Sequence, residues 1–443
     1  MNTVTEPARE VPVASDCDVI VCGGGPAGFV AAVAAARAGA RTLLIERYGF
    51  LGGTATAGMM VEFGSIHDGA RVIVGGVAHE FLHRMDEFGG APLLDADSHR
   101  MIFDPEAMIA VCRQMVVESD AEVLLHTLIV DAVRDGDRVT GVIVENKTGR
   151  AAYLARVVID ATGDGDVAVR AGAAFDLGRP GDGKMQPATL EVLLGNVDTT
   201  RFSRRDVQQL PNAIARAKAA GDWTVPTDQL FSAGRVLKRG APDRPTEAFY
   251  FINGTNVLDV DGSQAADLTR AELESRAQVD GLVFFFRKYV PGFEHCYLDR
   301  TAAAVGIRET RRVHGDYTLT GAECLAGAHF DDGIAASHQS IDVHDVAGAA
   351  FDHAFLAPGT HYEVPYRCLL PAGLEGLLVA GRCISVDHHA LGSIRRMVTC
   401  MPLGEAAALA AAAAAAAGRP PRNVDVAAIR SDLAAAGHAI GER

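Results

Sequence analysis

The sequence predicts an α/β fold in which a parallel-stranded domain is interrupted by an inserted α+β unit. Three observations carry this. Near the start, an apolar run (Cys17-Asp18-Val19-Ile20-Val21-Cys22) meets a glycine-rich turn and then an alanine-rich helical stretch. Two further short apolar runs, Val157-Val158-Ile159 and Leu377-Leu378-Val379, each run into a glycine within a few residues. Between them lies a long stretch, 173–361, with strand-like and helical segments of its own. Short apolar runs bounded by turn residues read as strands buried on both faces, the habit of parallel sheets.

The first run is followed by Gly23-Gly24-Gly25-Pro26-Ala27-Gly28, and Pro26 to Ala38 is rich in helix formers and stops at Gly39. Arg41-Thr42-Leu43-Leu44-Ile45-Glu46 reads as a second strand ending in an acid. Gly23, Gly25 and Gly28 give G-x-G-x-x-G on a strand-to-helix turn. Gly23 allows the tight turn, Gly25 lets a pyrophosphate approach the backbone, and Gly28 lets the helix pack on the sheet. Pro26 and Ala27 open a helix whose free N–H groups and dipole favour phosphate. Glu46 stands where a carboxylate accepts a ribose hydroxyl. The whole arrangement, more than the glycines alone, points to a dinucleotide.

Later segments say which dinucleotide. Arg47-Tyr48-Gly49-Phe50-Leu51-Gly52-Gly53-Thr54-Ala55-Thr56 follows the acid directly, and a Gly-Gly loop there carries a chain past a pyrophosphate toward a flavin. Glu122–Leu125, Leu128–Val133 (with Val130 at its centre) and Val139–Glu145 form a meander pattern with turns at Asp135-Gly136-Asp137 and Asn146-Lys147-Thr148-Gly149. The next strand, Ala155–Asp160, ends in Ala161-Thr162-Gly163. A meander followed by strand-ATG belongs to FAD-binding domains and is absent from NAD-only dehydrogenases. Gly381 and Arg382 end another strand, and Pro402-Leu403-Gly404 is expected to open a helix that directs positive charge at the flavin. FAD is therefore the expected cofactor.

Composition narrows the partners. The chain has 443 residues and a net charge of −15, so nucleic acid and anionic membrane surfaces are not expected. Eight scattered cysteines without a C-x-x-C pair indicate neither a zinc site nor a redox pair, and fit a reducing cytoplasm. Residues 1–15 read as a flexible tail, and the alanine run Ala406–Ala417 as a packed helix too short for a bilayer. The expected division is 16–172 and 362–420 for two parts of the FAD-binding domain, 173–361 for a substrate or cap domain, and 421–443 for a C-terminal helical segment. Within the cap, Ala188–Leu194 reads as a strand and Thr269–Tyr289 as a helix with a capping box at Thr269 and Glu272.

The chain resembles the FAD-dependent oxidoreductase family whose members are often labelled xanthan-lyase-like, and is more distantly similar to fumarate-reductase-type flavoproteins. The resemblance runs through Gly23–Gly28 with Glu46, Leu51–Thr56, Val74–Val77, Phe103–Glu106, Ile159–Asp164, Pro291–Glu294, Gly306–Arg312, Val364–Arg367 and Gly381–Gly404. It implies FAD and a two-electron redox step. With it, the fold class becomes α/β with a glutathione-reductase-type FAD-binding Rossmann domain and an inserted α+β substrate domain. Two departures stand out. Arg382 follows Gly381 where many flavoproteins have an acid on the ribityl chain, and His388-His389 replaces a single histidine; spacing from Gly381 and Arg395 matches the family position to His388.

Candidate catalytic residues follow from chemistry and place. Histidine as a residue type titrates near neutral pH, so His388 suits a base, though a structural role competes. Arg395 suits an anionic substrate or the flavin O2, against a salt bridge. Tyr366 suits a substrate hydrogen bond, against burial in the core. Arg308, Glu309, Arg311 and Arg312 read as an ion network with one arginine facing the site. Cys383 and Cys400 read as packing thiols. No second G-x-G-x-x-G appears, so electrons from a small polar substrate (an alcohol, sugar derivative or amine) are expected to pass to O2, a quinone or a carrier protein. The other readings are an NAD(P)H-dependent flavin monooxygenase and a flavin relay subunit, and a homo-oligomer is left open.

Overall fold

The computed structural model describes residues 3–5, 7–91, 93–95, 100–203, 206–227, 230, 232–345 and 351–441. The elements that position the site begin with β1 (Val13–Cys22), α1 (Pro26–Arg37) and β2 (Thr42–Ile45). Then come α2 (Gly76–Glu87), α3 (Pro105–Glu118), β3 (Glu122–Leu124), β4 (Leu128–Asp135), β5 (Arg138–Asn146) and β6 (Gly149–Asp160). The insert supplies β7 (Val192–Val197), β8 (Ser232–Val236), β9 (Ala248–Asn253), α4 (Ala265–Tyr289) and β10 (Tyr297–Thr301). The rest includes β11 (Gly333–Ser337), β12 (Ile341–His344), β13 (Phe351–Ala354), β14 (Tyr362–Pro365), β15 (Leu377–Val379), α5 (His388–Ile394), α6 (Met397–Ala417) and α7 (Val426–Ala435).

The main sheet has seven strands in the order β3-β2-β1-β6-β5-β4, with β15 also paired to β6. Strands β3, β2, β1, β6 and β15 run parallel. Their registers align the carboxyl ends: Cys22 lies opposite both Ile45 and Asp160, and Val379 opposite Asp160. The loops that follow therefore emerge along one edge, where ligands of parallel sheets bind. β6 changes partner midway. Its first half pairs antiparallel with β5 and its last residues pair parallel with β15. One strand thus joins the meander to the cofactor edge.

Several boundaries differ from the sequence reading. β1 starts at Val13, so the end of the expected tail (1–15) is paired in the sheet; Ala152 N–H also donates to Pro12 O. Residues 1, 2 and 6 of that segment lie outside the described residues. Glu122–Leu124 pairs with β2 and is not part of the meander, because its register continues the parallel edge. In the insert, the strand read as Ala188–Leu194 is β7, Val192–Val197; Ala188 and Thr189 make only isolated bridges. Helix α4 begins at Ala265, so Thr269 lies inside it and its hydroxyl donates to Ala265 O rather than capping. A capping box forms elsewhere, between Thr320 and Glu323.

α6 is longer than expected. It starts at Met397 and carries Pro402 within it, so its N-terminus lies before the predicted opening. At 21 residues it is long and apolar enough to span a bilayer, which corrects the argument from length; yet 89% of its apolar window is buried inside the fold. Burial on all sides is what an alanine-rich helix without a polar face requires. The antiparallel insert sheet (β8-β9-β7-β10) and α4 enclose an aromatic core of Phe202, Tyr250, Phe285, Phe286 and Phe293. The C-terminal segment returns to the first domain: Gly76 N–H donates to Ala436 O, and Ala439 N–H to Ile73 O.

Candidate functional site

The cradle is made where two glycine loops touch. Gly23 has φ +96°, and a Cβ there would lie 2.6 Å from Ala161 O. A Cβ on Gly28 would lie 1.7 Å from Gly23 O, so this glycine serves packing of α1 on the turn. Gly25 is different: a Cβ there would meet nothing nearer than Gly53 Cα at 3.9 Å. It caps α1, with Pro26 and Ala27 opening the first turn and its unsatisfied N–H groups. Gly52 N–H donates to Gly24 O at 2.8 Å, and Gly53 (φ +52°) sits so close that its Cβ would lie 2.7 Å from Gly25 Cα. Bare backbone thus faces open space at the head of a helix, the requirement for a pyrophosphate. The residues fit the cofactor the sequence implies.

Side chains around the cradle hold it in shape. Glu46 is buried; one carboxylate oxygen accepts Gly24 N–H at 2.6 Å and the other Tyr48 N–H at 2.9 Å. It locks the first glycine loop to the end of β2, a task the sequence did not reveal. Thr56 donates its hydroxyl to Leu51 O at 2.9 Å, closing the second loop, whereas Thr54 is exposed. Arg47 is exposed, with its guanidinium 4.9 Å from the Tyr48 ring centroid. Val130 is the extra residue of a bulge between the Ile129↔Val144 and Asp131↔Ile143 pairs.

Asp160 at the end of β6 is fully buried and builds the ATG turn. It accepts Thr162 N–H (3.1 Å), the Thr162 hydroxyl (2.7 Å) and Ala168 N–H (2.9 Å). Burial outweighs these bonds and pushes its carboxyl up to about 6. Ala161 N–H donates to Cys22 O, tying this turn to the first glycine loop. Arg382 replaces a ribityl acid with a staple. Its Nε donates to Gly163 O at 2.8 Å, Nη2 to Asp164 at 2.5 Å, and Nη1 to Ile307 O. Gly381 approaches Ala27, where its Cβ would lie 3.2 Å from the alanine methyl. At Gly404 a Cβ would lie 2.1 Å from Ala27 O, so this glycine lets α6 cross α1 beside the cradle.

The segment 304–312 runs beside the cradle. Ala304 N–H donates to Ala57 O, Thr310 Oγ1 to Asp164 Oδ1 at 2.7 Å, and Arg311 to Asp166 at 2.8 Å. It presents Glu309, fully buried, to His388 at the start of α5: Nδ1 lies 2.8 Å from Oε1. The same oxygen accepts Arg312 at 2.5 Å. The expected ion network is therefore divided, with Arg311 and Arg312 held by acids and Arg308 donating to Pro187 O and Thr189 Oγ1. His389 is largely exposed beside Asp352. Arg395 donates to Asp342 O at 2.8 Å and lies 3.3 Å from its carboxylate.

Tyr366 is buried, and its hydroxyl donates to Pro421 O at 2.9 Å, which is the core role weighed against catalysis. Cys383 and Cys400 are buried thiols; burial raises the first well above its ordinary value and the second to about 12.

A family model described as FAD dependent oxidoreductase matches residues 18–433, and the chain belongs to that family. It is an enzyme of the FAD-dependent oxidoreductase class, and FAD is its cofactor. Among named relatives, thiamine thiazole synthase of Methanococcus vannielii is 28% identical over 159 residues, 33% of this chain and 56% of that protein. The chain thus spans about half the length of that relative. Dihydrolipoyl dehydrogenase of Trypanosoma brucei brucei is 51% identical over 46 residues, 10% of each chain. Among solved structures, a geranylgeranyl bacteriochlorophyll reductase-like protein from Thermoplasma acidophilum aligns with 95% of this chain and 83% of its own at TM-score 0.46 and 12% identity.

Proposed function

We propose that the protein takes two electrons from a small polar organic substrate, an alcohol, sugar derivative or amine, and passes them to O2, a quinone or a carrier protein. The cofactor domain is of the glutathione-reductase type. Gly25, Pro26, Ala27, Gly52 and Gly53 would hold the pyrophosphate, Glu46 the ribose, Val130 the adenine side, and Ala161–Gly163 with Gly381 the flavin side. FAD, when bound, would supply the two-electron sink for the oxidation.

One observation carries the reading: His388 is paired with Glu309 on a segment fastened to the cofactor edge by Thr310 and Arg382. A carboxylate at Nδ1 makes that nitrogen the N–H donor, so Nε2 presents its lone pair. Nε2 then takes the proton of the substrate O–H or N–H, and Glu309 stabilises the imidazolium that results. Such a base contributes about 10²–10⁴ in rate.

The test is the absorbance spectrum of the purified protein under anaerobic conditions, before and after pooled alcohols, sugars and amines. Bleaching of the flavin bands by one pool supports the reading. Bands that resist every pool and bleach with NADPH overturn it.

A further inference from the structure

A second group of buried charges lies between α5, the β12 strand and the insert. Arg395 and Arg396 close on one acid: Asp342 Oδ2 is 3.3 Å from Arg395 Nη2 and 2.8 Å from Arg396 Nη2. Asp342 also faces His353 at 2.7 Å and His344 at 3.6 Å. Arg308 approaches from the insert side, held by Pro187 O and Thr189 Oγ1 at 2.6 Å each. Gln186 joins the two halves, donating its backbone N–H to Glu309 and accepting His344 N–H at its side-chain oxygen.

The charges do not balance. Asp342 is shared by two guanidiniums, and Glu309 is taken by Arg312 and His388. Glu191 also acts on Arg308, and burial raises its carboxyl well above the ordinary range. Burial lowers Arg395 to about 9; Asp342 opposes the shift, and the neighbouring Arg396 and Arg308 add to it. Hydrogen bonding gives the same answer independently. Arg395 Nε, Arg396 Nε and Gln186 Nε2 are buried donors with no acceptor, and Glu191 Oε2 is likewise unmatched. Unmatched buried donors are costly, and two of them sit on adjacent arginines that already share one acid, which calls for a further acceptor.

We infer that this cluster receives a carboxylate of the substrate, with Arg395 and Arg396 as its charged donors and Arg308 behind them, so that the substrate is a small carboxylic acid. The inference rests on the reading of His388 as the reaction site, since α5 carries His388 at one end and leads into Arg395 and Arg396 at the other. A planar guanidinium fork suits a carboxylate, and its single charge matches a buried cationic surplus without excess.

The test uses the FAD-loaded protein. It is titrated with acetate, glycolate, succinate and benzoate, with acetamide and glycolamide as neutral counterparts and inorganic phosphate as the other anion. Binding is read by calorimetry and by the flavin difference spectrum. The expected result is saturable binding of at least one acid, with its amide weaker by about tenfold or more. Arg396→Gln, at the least buried of the three arginines, is expected to weaken the acid about tenfold with unchanged flavin content and circular dichroism. Arg396→Lys is expected to fall between. Equal binding of acids and amides, no saturable binding of any acid, tighter binding of phosphate, or an unaffected Arg396→Gln each overturns the inference. The two proposals fail separately. A neutral substrate that bleaches the flavin equally in wild type and Arg396→Gln keeps the oxidation and removes the carboxylate. An acid that binds while nothing bleaches the flavin does the reverse.

Discussion

His388 Nδ1 and Glu309 Oε1 are 2.8 Å apart, both side chains buried, and that oxygen is shared with Arg312. The pair fixes which nitrogen of the imidazole is available. His388→Gln is expected to lower the rate of flavin reduction by about 10²–10⁴ with FAD content unchanged, measured by anaerobic stopped-flow. Glu309→Gln removes the charge that fixes the Nδ1–H form of the ring, so the rate of flavin reduction is expected to fall by about tenfold or more at unchanged FAD content. An unchanged rate would assign Glu309 to packing alone.

The glycines of the first loop separate into two kinds. Gly25→Ala meets nothing nearer than 3.9 Å, so it is expected to fold normally and lose about tenfold or more in FAD affinity. Gly28→Ala would place a methyl 1.7 Å from Gly23 O, and is expected to destabilise the apoprotein by about 2–4 kcal/mol. Thermal unfolding with and without FAD tells the two apart.

Gly404→Ala presses on Ala27 O, where the added carbon would sit 2.1 Å away. The expected loss is about 1–3 kcal/mol, from parting two helices that meet backbone to backbone. Chemical denaturation measures it, and an unchanged midpoint would show that α6 slides to make room.

Tyr366→Phe deletes one buried hydrogen bond, to Pro421 O. A stability loss of about 1 kcal/mol with an unchanged rate of flavin reduction is expected. A large loss of rate with full stability would return the residue to the site.

Asp160 binds its proton more tightly folded, near pH 6, than unfolded, near 3.8. The folded state therefore holds more protons between these values, and stability falls as pH rises from about 4 to 6. The difference in stability between wild type and Asp160→Asn should shift against wild type by roughly 1–3 kcal/mol across that window. Urea midpoints at several pH values provide the check.

The cofactor edge was legible because it is written in local sequence. G-x-G-x-x-G, the acid ending β2 and strand-ATG each depend on neighbours a few residues away. Arg382, Glu309 and Asp342 were harder, since their partners lie 218, 79 and 54 positions off in the chain. The partner of the Tyr366 hydroxyl, Pro421 O, lies 55 positions off and is equally out of reach of local pattern. Thr269 and Glu272 carried a capping pattern that α4 overran, because Ala265-Ala266-Asp267-Leu268 is itself helix-forming. The Asp160 network had a visible cue, an acid closing an apolar strand before Ala-Thr-Gly. Pro402 drew the helix start to itself, although Met397–Met401 had the composition to begin it sooner.

The pairing of β15 with β6 and the crossing of α6 over α1 have a consequence for how the chain is made. A ribosome releases the glycine loop and α1 first, when the strand and helix that cover them are still hundreds of codons away. Until then α1, buried on nearly every side in the finished protein, has an apolar flank open to solvent. Truncations that stop short of Ala417 should therefore be found with chaperones or in aggregates and carry no flavin, however complete their first domain looks on paper.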